Sequence, residues 1–113
     1  MNAPASIASE QPFAWGDSLD DLVGKRVTQC ALSRICGACG EPLGRPIAFL
    51  GTPLEVGRNA YHYPPMHVAC AHALLGKVAD TELVTTAGFE FVRPSREDDD
   101  RRPTFQPNSL LSQ

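Results

Sequence analysis

Two short pairs constrain this chain more than anything else in it: Cys36-Gly37-Ala38-Cys39 and His67-Val68-Ala69-Cys70, separated by 27 residues. A CxxC in a tight turn folds two thiolates around one point. A residue pair at i and i+3 on a first helical turn points to one side, so the two halves can close a tetrahedron of three sulfurs and one nitrogen. That donor set is the composition of a structural zinc site. Gly40, directly after the second cysteine, suits a turn that aims backbone N–H groups at sulfur, because such a turn needs a residue free to take positive φ.

Other uses of the cysteines compete with zinc. Disulfides need an oxidising compartment, and residues 1–10 show no basic stretch followed by an apolar core, so no secretory signal is expected and the cytoplasm is the expected location. A redox CxxC sits at the head of a helix, whereas this one runs into Glu41-Pro42-Leu43-Gly44. The sharper competitor recruits Cys30, giving Cys-x5-Cys-x2-Cys with Cys70 as a remote fourth ligand. That is close to the plant-type [2Fe-2S] spacing, but it has one residue too many in the first gap and leaves His67 idle. In the zinc reading Cys30 is a core thiol.

A chain of 113 residues has room for one domain with tails, and 9 Gly and 10 Pro leave little of it for long helices or broad sheets. The expectation is a small α+β fold with a zinc-stabilised core, short N-terminal helices and polar tails. Residues 1–12 read as a flexible arm, 13–93 as a single zinc-binding domain with its metal core at 36–76, and 94–113 as a disordered acidic and polar tail. Within the domain, Asp17 to Gly24 reads as a short capped helix and Val27 to Ile35 as a second. Ile47 to Leu50 reads as a strand returning through Ala60 to Tyr63 in a hairpin, and Met66 to Leu75 as a helix opened by Pro64-Pro65 and closed by Gly76. Leu83 to Thr86 and Phe89 to Val92 read as a last hairpin around Ala87-Gly88.

The order of ligand turn, hairpin and ligand-bearing helix over residues 36–75 resembles the treble-clef zinc fingers, the group that includes LIM-type modules. More narrowly, Cys36-Gly37-Ala38-Cys39-Gly40-Glu41-Pro42-Leu43-Gly44, Ile47-Ala48-Phe49-Leu50-Gly51 and Pro64-Pro65-Met66-His67-Val68-Ala69-Cys70-Ala71 are similar to a set of small proteins of actinobacteria and their phages. The resemblance implies a fold and no activity. That set carries further cysteine-bearing sequence after the helix, whereas residues 76–113 here contain no cysteine, so a second metal site is not expected.

A closed Cys3His site has no open coordination position and cannot activate water, so function is expected on the surface of the zinc-bound core. Residues 1–24 carry Glu10, Asp17, Asp20 and Asp21 without a Lys or Arg. Residues 25–79 carry Lys25, Arg26, Arg34, Arg45, Arg58 and Lys77 against Glu41 and Glu55. Two acidic flanks around a basic middle suit docking on another protein or macromolecular complex, with Phe13 and Trp15 as anchor residues in a polar arm. Nucleic-acid binding through the basic middle is the alternative, but the surplus is small and lacks aromatic interleaving. No enzyme is expected. A nuclease built on a treble clef needs a general-base histidine and further helix ligands, and only His62 and His72 remain to supply them. His72 reads as an exposed helix residue, two positions past Cys70 and on another face. No apolar run is long enough for a membrane span.

Overall fold

The computed structural model describes residues 12–19, 21–78, 80–100 and 102–109. The chain forms a small α+β fold of short helices and antiparallel strands, in the order α1 (Gly24–Ser33), β1 (Ile47–Gly51), α2 (Pro53–Arg58), β2 (Met66–His67), α3 (Val68–Leu75), β3 (Glu82–Thr86), β4 (Gly88–Val92) and β5 (Thr104–Ser109). One sheet has the strand order β2-β1-β3, and β4 pairs with β5 in a second. The apolar run Ile47 to Leu50 is buried throughout, as befits a central strand covered on both faces.

The segment from Asp17 to Gly24 is not the helix its capping pattern suggests. The chain closes a turn around Trp15 instead: Gly16 N–H donates to Asp21 O at 2.7 Å, Val23 N–H donates to Ala14 O at 2.9 Å, and the indole N–H of Trp15 donates to Leu19 O at 3.0 Å. Gly24 therefore starts a helix instead of ending one. α1 buries Val27, Cys30 and Ala31, and ends on Arg34 in the left-handed conformation.

The partner of β1 also differs from expectation. Thr52 and Glu55 form a reciprocal capping box, which places α2 directly after β1. The strand that returns alongside β1 is β2, with Ile47 opposite His67 and Ala48 opposite Met66, and not Ala60 to Tyr63. Tyr61 instead exchanges two backbone hydrogen bonds with Phe105, at 2.9 and 2.7 Å.

The two C-terminal strands of the expected hairpin both exist but do not pair with each other. β3 lies against β1, and β4 pairs with β5, which falls within the segment expected to be disordered. Phe105 is the reason. It is fully buried in a cluster of Phe49, Tyr61, Phe89 and Phe91, with ring centroids 5.0 to 5.8 Å apart. The folded unit thus extends past the expected boundary at 93. The expected arm, 1–12, lies outside the described residues except for Pro12, which is buried.

Two outcomes follow from these contacts. Phe105→Ala is expected to cost about 3–5 kcal/mol in urea unfolding, the range for emptying a buried aromatic site; a loss under 1 kcal/mol would mean that β5 does not seal the core. Glu55 concerns pH. Burial raises its carboxyl, but hydrogen bonds from His62 and then Thr52 outweigh that and hold it below its ordinary 4.5. Its stabilisation is therefore present at neutral pH and lost as pH falls below 4.5 through the lower folded value. Glu55→Gln keeps the capping shape without the titration, so its stability in an acid series is expected to fall less steeply than that of the parent. Superimposable acid limbs would contradict this.

Candidate metal centre

The first ligand pair sits in a turn closed by an antiparallel bridge between Ile35 and Pro42. Cys36 N–H donates to Glu41 O and Gly40 N–H to Cys36 O, both at 2.8 Å. Gly40 takes φ 77°, a conformation in which a side chain would be strained. Inside this turn the Cys36 sulfur accepts from the amides of Ala38 at 3.3 Å, His67 at 3.4 Å and Cys39 at 3.5 Å. Gly37 lies so close to the next segment that a Cβ there would collide with the Pro64 ring, and its N–H donates to Pro65 O at 2.8 Å. That contact docks the turn on the chain leading into β2. Phe13 and Ala14 close the other side, donating to Ala38 O at 2.9 Å and Gly37 O at 2.8 Å.

The second pair comes from the β2–α3 junction. His67 ends β2 and is the N-cap of α3, and Cys70 is in that helix's first turn. The four ligating atoms of Cys36, Cys39, His67 and Cys70 all lie within 4.8 Å of one another. Nδ1 of His67 is 3.4 Å from the Cys39 sulfur and 3.9 Å from that of Cys70. A tetrahedral ion with metal–sulfur bonds near 2.3 Å and a metal–nitrogen bond near 2.0 Å sets S···N at about 3.6 Å, so these two separations bracket the value for a filled coordination shell. The other ring nitrogen, Nε2, lies 2.9 Å from Pro42 O. A carbonyl can only accept, so Nε2 carries the proton and Nδ1 turns its lone pair toward the sulfurs.

The electrostatics ask for a cation. Burial raises the Cys36 thiol, but the three amide hydrogen bonds and one from Cys39 outweigh it and bring the group down. A thiolate at Cys36 then works against its neighbours. Cys70 is pushed up to about 12, by burial first and next by the charge of Cys36. Cys39 is also raised, by burial first, partly offset by a hydrogen bond from the Glu41 backbone and reinforced by Cys36. Three thiolates around one point repel one another unless a positive ion sits between them.

Cys30 stands outside the ligand group. It is fully buried on α1, with its thiol pushed up to about 12 by burial and then by Cys36. Trp15, expected as a partner anchor, is a core residue: it is fully buried and packs on Tyr63 at 5.5 Å. Phe13 is half-buried beside Gly40, with the Arg26 guanidinium over its ring. His72 is exposed on α3.

A second cluster escaped the sequence reading. His62 lies between two carboxylates, with Nδ1 2.7 Å from Glu55 and Nε2 3.3 Å from Asp100. Arg102 in turn grips Asp100 at 2.9 Å and holds its carboxyl well below the usual range. Nothing local in the sequence relates His62 to an aspartate 38 positions away.

These features define a small α+β protein with a Cys3His cluster able to hold a metal ion. Comparison of the chain with protein-family models, curated proteins and solved structures returned no match. Among the described residues, no helix is long and apolar enough to cross a membrane.

The ligand set makes a direct expectation. Cys30→Ala should purify with the same metal content per chain as the parent, while Cys36→Ser and His67→Ala should each lose most of it in elemental analysis. Metal loss in Cys30→Ala with retention in His67→Ala would reverse the assignment.

Proposed function

We propose that this chain is a non-enzymatic interaction module built on a treble-clef zinc finger, in which zinc serves the fold alone and the surface docks on another protein. The observation that carries the reading is the convergence of Cys36, Cys39, His67 and Cys70 within 4.8 Å. Three thiolates and an imidazole gathered in one group favour zinc among the common divalent ions, since hard cations take oxygen ligands. Four protein ligands close the site and leave no position for water or substrate.

The order of elements supports the treble-clef assignment: a ligand turn at 36–40, the antiparallel pairing of β1 with β2, then α3 carrying the last ligand. The reading requires reduced thiols and so fits the cytoplasm. Against an iron–sulfur centre stands Cys30, which the ligand group leaves out. Against a nuclease stands His62, whose two ring nitrogens each face a carboxylate. With chemistry assigned to neither the metal nor the histidines, exposed apolar side chains such as Leu32 and Leu54 point to association.

Metal analysis with visible absorption and circular dichroism tests this reading. The expected result is one zinc per chain in a colourless protein that loses ordered structure under a chelator, since structural zinc contributes on the order of 10 kcal/mol to folding. Iron with a brown colour would overturn it, bring Cys30 in as a ligand and make electron transfer the working function. A chelated protein with unchanged ellipticity would remove the structural role.

A further inference from the structure

A groove of about 960 Å³ lies between α1 and the two ends of the β4–β5 connection. It is lined by Lys25, Val27 and Leu32 of α1, by Leu22 just before that helix, and by Arg93 and Pro94 after β4. α1 turns Val27, Cys30 and Ala31 into the core, yet Leu32 on the same helix is 71 % exposed, more than any other large apolar side chain described. An exposed leucine in a concave wall differs from one on a convex surface: a ligand seated there removes apolar area on both partners at once.

The charge around it is one-sided. Lys25, His62, Arg93 and Arg102 line the groove, and no carboxylate does among the described residues. Asp100 already holds His62 and Arg102. Lys25 and Arg93 make no ion pair among the described residues, and the Arg93 guanidinium lies over the ring of Phe91, which fixes one basic group at the rim. Asp98, Asp99 and Asp100 border an adjoining, smaller concavity of about 380 Å³ that shares His62, Arg93, Pro94 and Arg102 with the groove. In a chain of net charge −3, this apolar recess thus has Lys25 and Arg93 among its lining residues, neither in an ion pair among the described residues.

We infer that this groove docks a peptide segment of another protein that presents a leucine-type side chain flanked by aspartate or glutamate, the apolar group resting on Leu32 and Leu22 and the carboxylates reaching Lys25 and Arg93. Nucleic acid fits it less well, because two unpaired cations offer few phosphate contacts and the recess is not a basic stripe. The inference deepens the reading of the chain as an interaction module, and it holds whichever metal fills the Cys3His cluster.

The test is fluorescence anisotropy with the full chain in its metal-loaded form. The probe is a fluorescein-labelled peptide of leucine and glutamate. A serine–glutamate peptide, a leucine–lysine peptide and a single-stranded oligonucleotide serve as comparisons. Saturable binding of the leucine–glutamate peptide is expected, about tenfold tighter than either control peptide, the serine–glutamate comparison reading the burial of the leucine and the leucine–lysine comparison reading the charge. Leu32→Ser and Arg93→Glu should each weaken it about tenfold, and added salt should weaken it further. Both positions are at the surface, and unchanged metal content verifies that the variants fold. Equal binding of all three peptides, indifference to both substitutions, or preference for the oligonucleotide would overturn the inference. Self-association that Leu32→Ser abolishes, seen by sedimentation, would assign the groove to a second copy of the chain and overturn it too. If zinc is found and the groove is inert, the docking site falls and the metal reading stands; if the peptide binds and the metal is iron, the reverse holds.

Discussion

Three sulfurs and an imidazole nitrogen held within 4.8 Å of one another cannot all be in their ligating forms unless a cation neutralises them, and much of the surrounding structure is arranged around that requirement. The amides of Ala38, Cys39 and His67 converge on the Cys36 sulfur, Pro42 fixes the ring of His67, and Gly37 brings the first ligand turn against Pro65 just ahead of the second ligand pair. The same contacts pin the chain before α1 through Phe13 and Ala14. One coordination centre therefore joins segments that are far apart in sequence, which is how a loop-rich chain of this size can hold a defined shape.

A second, independent joint is aromatic. Phe49 of β1 stacks on Tyr61 at 5.5 Å and meets Phe89 and Phe105 of the other sheet at 5.7 and 5.8 Å, so the two sheets share one core. Metal and aromatics divide the work. The ligands organise 36–70, and the rings attach the C-terminal strands to it.

The metal centre was legible in the sequence because its information is local: CxxC and HxxC each fix two donors within a turn, and Gly40 marks the positive φ between them. β1 and α3 were legible for similar reasons, a short apolar run and a helical period ending in glycine. Other elements were not, because their partners are distant. The cap at Asp17 fits a helix as well as a turn, and Trp15 decides for the turn by drawing Leu22 and Leu19 to itself. Tyr61 looked like the return of β1, yet its amide and carbonyl belong to Phe105. β5 was hidden by its composition. It contains Pro107 and follows a charged run, both of which argue against a strand, but Pro107 lies next to an irregularity in the pairing with β4 and so disturbs the ladder little. One buried phenylalanine outweighs the polarity around it.

The proposed function rests on this division of labour, with the Cys3His cluster and the aromatic core given to the fold and the surface to docking. The central claim of the proposed function is that zinc is held by three sulfurs and one nitrogen with no further ligand. Zinc K-edge X-ray absorption on the purified full chain tests it most directly. The account predicts a first shell of three sulfurs at about 2.3 Å and one nitrogen at about 2.0 Å. A four-sulfur shell would put Cys30 in place of His67, and a shell containing a light-atom ligand beyond the imidazole would mean an open position; either would contradict it.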